Sequence, residues 1–191
     1  MNCEKLPKDY KRIGIIDLDG KRSPEKRKVN LIAMILAVAL AMLGVQLHPF
    51  DEATSVLMSK AWVLMALMGV LFTYMILHEV VHGIFIRALS KTKPVYGMKS
   101  FYLYAGTRGY LDRRSYVLIA LAPAVIFGVI FAVLTAVLPK DWFWLVMIIQ
   151  IANIAGSAGD FYCSWRMLRY PKNALIQDLG TGMKIYAPEN N

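Results

Sequence analysis

The chain has 191 residues, 57% hydrophobic and 18% charged, with a mean hydropathy of +0.45. That composition belongs to an integral membrane protein and leaves no room for a separate soluble domain of ordinary size. The net charge of +9 comes with no nucleic-acid recognition motif, and the two cysteines, Cys3 and Cys163, provide neither a disulfide framework nor a Cys-based zinc signature.

In chain order, residues 1–28 form a basic arm with nine Lys/Arg. Within it Ile13 to Lys21 reads as a short hairpin turning at Asp19-Gly20, and a solvated arm touching anionic lipid is the plainer alternative. No cleavable signal is expected, because this polar arm precedes the first apolar run. Val29 to Leu47 is the first span, of the length a bilayer core requires. His48 to Lys60, with Pro49, Asp51 and Glu52, is a short loop, and Ala61 to about Leu89 is the second span. From Ser90 to Ser115 the chain is polar and aromatic. Two readings stand there: a plain loop, or a hairpin of Pro94 to Lys99 with Phe101 to Ala105 whose free edge would hold an extended substrate. Tyr116 to Leu138, bent by Pro123, is the third span. Trp142 to about Tyr170 is the fourth, and a short polar tail follows Pro171.

These segments predict an all-α membrane protein of four transmembrane helices. Its parts are an arm at 1–28, a membrane domain at 29–170 and a tail at 171–191. Of the 22 Lys/Arg, all but Lys60 and Lys140 fall on one side of the predicted topology, which places both termini in the cytoplasm. The expected location is a cell membrane of the bacterial cytoplasmic kind.

The second span contains His78-Glu79-Val80-Val81-His82. On a helix the two histidines, four residues apart, reach one zinc ion, with Glu79 beside them as general base. A chain of this composition would contain such a pattern by chance about once in a thousand. Ionisable groups within a span are costly, which favours function over a merely solvated face. A catalytic zinc takes a third protein ligand. On the fourth span Gln150, Asn153, Ser157, Asp160 and Ser164 recur at steps of 3 and 4, along one helical face. Counted from Trp62 and Trp142, His78, His82 and Asp160 lie at one level, about 24 to 30 Å deep. Asp160 is therefore the expected third ligand, with Cys163 one turn on as the runner-up and His48 on the opposite surface. Asn153 is open to two readings, a hydrogen bond to the substrate backbone or helix packing.

His78 to Gly83, Leu121-Ala122-Pro123, and Asn153 with Gly156 to Asp160 resemble the family of small membrane proteins titled "Putative zincin peptidase". That family is itself similar to the site-2 group of intramembrane metalloproteases. The resemblance runs from about Ile13 to Tyr186. It implies zinc on His78, His82 and Asp160, Glu79 as catalytic base, and a membrane-protein or peptide substrate. One departure is that Asp160 stands between Gly159 and Phe161, whereas site-2 proteases carry N-P-D-G or L-D-G. No regulatory PDZ or CBS domain is present in the sequence, so regulation would fall to a partner. The rival reading is a zinc-bearing but inactive membrane protein that binds or chaperones a partner. A carrier fits worse, since no repeated halves are visible.

Overall fold

Ser23 starts the first helix: its hydroxyl accepts from Lys26 N, Pro24 occupies the first turn, and Glu25 faces the positive end of the helix dipole. In the computed structural model this helix, α1, runs over Pro24–Leu47, so it begins before the apolar stretch does. The structure describes the whole chain except residues 1, 21, 22, 52, 53, 56, 57, 91, 100, 101, 190 and 191. The expectations that touched Lys21, Glu52 and Phe101 lie, at those positions, outside the described residues.

Helix α2 spans Ala61–Ser90. Helix α3 spans Arg113–Val137, capped by the Asp112 carboxylate, which accepts from Arg114 N and Ser115 N at 3.0 Å. The fourth apolar run departs from the single helix expected of it. After a 3-10 turn at Lys140–Trp142 it divides into α4, Phe143–Gly156, and α5, Ala158–Met167. The break follows from Gly156-Ser157, since the Ser157 hydroxyl donates to the Asn153 carbonyl at 2.8 Å, which also takes the Ser157 N–H. A glycine next to such a serine is a recurrent site of helix bending. Counting α4 and α5 as one, four helices among the described residues are long and apolar enough to cross a membrane, so the chain is a mostly helical multi-pass membrane protein. Helix α1 packs on α4, α4 on α3, and α3 on α2.

Two small sheets correct the all-α expectation. In the first, of strand order β1-β6-β5-β4, β1 (Tyr10–Asp17) pairs antiparallel with β6 (Gly182–Pro188), joining the two ends of the chain. Strands β5 (Leu175–Asp178) and β4 (Leu111–Asp112) complete it. The predicted hairpin from Ile13 is therefore replaced by one strand. Its alternation carries Ile16 into the core, and Met183, Ile185 and Ala187 of β6 face the same way. At Asp19-Gly20 the chain does turn, but on the Asp17 carboxylate, whose Oδ1 accepts both backbone N–H groups, and the turn leads into α1. The second sheet is the hairpin β2 (Pro94–Lys99) with β3 (Tyr102–Thr107), between the second and third spans as the strand reading had it.

The packed core lies where the four-stranded sheet meets the helix ends. Ile16, Ile86, Leu111, Met167, Ile176 and Ile185 are each at most 1% exposed there. Further along the helices the apolar faces are open, as lipid contact requires.

Candidate metal centre

Two turns before its end, α2 presents His78 and His82 on one face, both buried at 8% exposure. Asp160 enters from the first turn of α5, directly after the Ser157 break. Its Oδ2 lies 3.7 Å from His78 Nε2 and 3.8 Å from His82 Nε2. All three ligand atoms fall within 4.8 Å of one another. Ligands about 2.0 to 2.1 Å from a tetrahedral zinc stand about 3.4 Å apart, so each histidine nitrogen lies within a few tenths of an ångström of the separation from Asp160 that a shared ion sets.

The rings are also oriented for it. His82 Nδ1 lies 3.0 Å from the Ile119 carbonyl. A carbonyl only accepts, so Nδ1 carries a proton and Nε2 is the ring nitrogen turned towards Asp160. That carbonyl is free for a covalent reason. Its usual helical partner is the N–H four residues on, and residue 123 is proline, which has none. His78 is fixed by a longer route. Asn153 donates from Nδ2 to the Ala124 carbonyl at 3.2 Å, which leaves its Oδ1 to accept from the Tyr74 hydroxyl at 2.9 Å. With its own proton so used, the Tyr74 oxygen accepts from His78 Nδ1 at 2.9 Å. Both histidines thus offer Nε2 to the cluster, as metal-binding imidazoles do when a neighbour holds the other nitrogen.

The cluster opens into a cavity of about 430 Å³. Tyr74 and Glu79 form one wall, and Ala152, Gly156 and Gly159 of α4 and α5 form the other. The Glu79 carboxylate faces the Ala105 backbone amide of β3. Over the strand-bearing end lies a roof of Leu18, Leu103, Tyr104, Asp178 and Met183. Two glycines let that roof sit down. A Cβ at Gly83, directly after the motif, would overlap the Tyr96 hydroxyl of β2, and one at Gly180, where φ is 81°, would overlap the Tyr104 ring. Burial raises the Asp178 carboxyl to about 6, a rise opposed by the Gly180 N–H that donates to it at 2.8 Å.

The structure brings His78, Glu79, His82 and Asp160 to one cavity. Asn153, weighed beforehand as a substrate contact, is fully buried and is not part of the cavity lining; it belongs to the chain that orients His78. The Cys163 thiol is buried against the Tyr116 hydroxyl and outside the three-residue group. His48 sits at the far end of the bundle, stacked on Phe143 with ring centroids 5.3 Å apart. Tyr74, Ile119 with Pro123, and Asp178 were missed from the sequence. A signal for Tyr74 existed, for it precedes His78 by the same four residues that separate His78 from His82.

The fold and the cluster together define a multi-pass membrane protein with a buried group suited to a metal ion. The family model titled "Putative zincin peptidase" matches residues 71–175, more than half of the chain, and the protein belongs to that family. No curated protein and no solved structure matches it.

Proposed function

We propose that the protein is an intramembrane zinc metalloprotease that hydrolyses a peptide bond within or next to a transmembrane segment of another membrane protein. The observation that carries this reading is the pair of Nε2 atoms turned onto Asp160 in a cavity that also holds Glu79. His78, His82 and Asp160 would hold the zinc, and zinc there supplies Lewis-acid activation of a water molecule and of the scissile carbonyl. Glu79 takes the proton from that water and delivers it to the leaving amine. Asn153 and Tyr74 keep His78 in its ligating form, and Ile119 does the same for His82. The roof covers the site on the strand-bearing side. The outer edge of β2, with Tyr96 and Met98 exposed, offers backbone partners to a substrate stretch that has unwound.

In this reading residues 29–170 are the peptidase domain, and the arm and tail supply three of the four strands of its cytoplasmic sheet. Both termini are cytoplasmic: the basic segments collect on that side, and the β1–β6 pairing supports a common side for the two ends. The similarity to site-2 proteases, the substrate class and a bacterial cell membrane belong to the same proposal.

The test is zinc per protomer in detergent-purified wild type, His82→Ala and Asp160→Ala, followed by Glu79→Gln. The expected result is near-stoichiometric zinc that falls in the first two variants. Glu79→Gln should keep zinc and stop the release of cleaved membrane substrate in cells. Wild type that takes up no zinc after reconstitution overturns the reading. Full zinc in Asp160→Ala removes the third ligand, and a Glu79→Gln phenotype identical to wild type leaves a zinc-bearing binding protein.

A further inference from the structure

On the outer side of the bundle, away from the metal cavity, lies a second concavity. Lys28, Leu31 and Ile32 fall on one face of α1 near its start, and Phe161, Tyr162 and Trp165 fall on one face of α5 near its end. The two helices pack together, and these six residues line a groove along their seam that shares no residue with the metal cavity. One turn past Trp165, Arg169 lays its guanidinium over the indole, 4.0 Å from the ring centroid. The groove thus has Lys28 in one wall, Arg169 stacked on Trp165 of the other, and aliphatic and aromatic surface beneath.

The surrounding charge keeps that sign. Arg166 lies on the same helix, with its Nε buried and unpartnered. Glu25, a carboxylate near Tyr162, accepts from the Ser23 hydroxyl at 3.2 Å. Both walls stand at the end of a span, where a lipid headgroup meets its chains, and tryptophan and tyrosine favour that level. We propose that the groove binds one anionic phospholipid, with its phosphate between Lys28 and Arg169 and one acyl chain laid over Leu31, Ile32 and Phe161. Charge complementarity favours this occupant over a zwitterionic lipid.

The molecule carries a reporter for the test. Trp165 stands alone at this end, while Trp62, Trp142 and Trp144 lie at the opposite ends of their helices. The full chain with those three changed to Phe is placed in phosphatidylcholine vesicles. A small fraction of the lipid is then replaced by chain-brominated phosphatidylglycerol or by chain-brominated phosphatidylcholine, and quenching of Trp165 is read. The expected result is several-fold stronger quenching by the anionic lipid at equal mole fraction, with the ratio falling to about one in Lys28→Gln/Arg169→Gln. Equal quenching before that substitution means ordinary annular lipid and overturns the proposal, as does a preference that survives it. No quenching by either lipid means that no lipid enters the seam and likewise overturns the proposal. Should the triple Phe variant fail to fold, the thermal midpoint of the wild type in neutral detergent is read instead. It should rise with added phosphatidylglycerol and not with phosphatidylcholine, and that difference should vanish in Lys28→Gln/Arg169→Gln. Equal responses to the two lipids overturn the proposal.

Discussion

The two histidines of the centre stand one turn apart on the same helix and are held by opposite means. His82 is held by a bare backbone carbonyl, that of Ile119, left unpaired by a proline four residues on. His78 is held by a relay of side chains, Tyr74 and Asn153, which ends on the Ala124 carbonyl of the same α3 helix. Both devices give one tautomer and one ring orientation. They differ in how they can be broken: a side-chain relay is cut by deleting a single atom, whereas a carbonyl can only be given a competitor.

The largest effect is expected from cutting the relay. Tyr74→Phe removes one oxygen and leaves His78 Nδ1 and Asn153 Oδ1 buried without partners. Loss of such an outer partner weakens metal affinity by about 10- to 100-fold. The stranded polar groups cost about 1 to 3 kcal/mol of stability. We predict both losses, measured by zinc competition against a chelator and by thermal unfolding in detergent. Asn153→Ala acts one step back. Among the described residues the Tyr74 proton is then left with His78 Nδ1 as its acceptor, which pushes the imidazole proton onto Nε2, where the metal belongs. About a tenfold loss of zinc affinity is expected, and unchanged affinity in both variants would show that the relay does not set the tautomer.

Pro123→Ala tests the other device and should separate two quantities that fall together in Tyr74→Phe. Alanine restores an N–H four residues after Ile119, so the helix can gain a hydrogen bond there. The same N–H competes with His82 for the carbonyl, which still has a second lone pair. We predict a thermal midpoint equal to or above that of the wild type, together with a loss of zinc affinity smaller than tenfold. A loss of stability with zinc binding intact would mean that Pro123 serves packing alone.

The unequal legibility of these features in the sequence has a physical cause. His78, Glu79, His82 and Asp160 could be read because helical period and span depth are local rules, and four helices plus those rules put the residues at one level. The relay could not. Asn153 stood out as polar, but whether a polar group in a span faces substrate or a neighbouring helix depends on the rotation of three helices about one another, which no period encodes. Pro123 was read as a bend, its commonest meaning; the use of the carbonyl it frees depends on which residue of α2 lies opposite. The terminal sheet was missed for a related reason. Tyr10–Asp17 and Gly182–Pro188 pair across nearly the whole chain, and long-range partners leave no trace in the turn chemistry that suggested a local hairpin instead.

The smallest effect is expected at the third histidine, and it tests whether the comparison between the other two concerns a site at all. His48 follows the last residue of α1, stacks on Phe143 and places Nδ1 3.0 Å from the Pro49 carbonyl. Like His82 it has a backbone carbonyl at Nδ1 and an available Nε2, so a ring nitrogen held in that way is not sufficient for ligation. Among the described residues it belongs to no group of three metal-ligating side chains, and Asp160 and the other two imidazoles lie at the opposite end of the bundle. We predict that His48→Ala leaves zinc content and zinc affinity unchanged and alters stability by no more than about 1 kcal/mol, the loss of an aromatic contact at a helix end. A fall in zinc with this substitution would bring His48 to the metal, and the arrangement of the spans that places it at the far end would have to be redrawn.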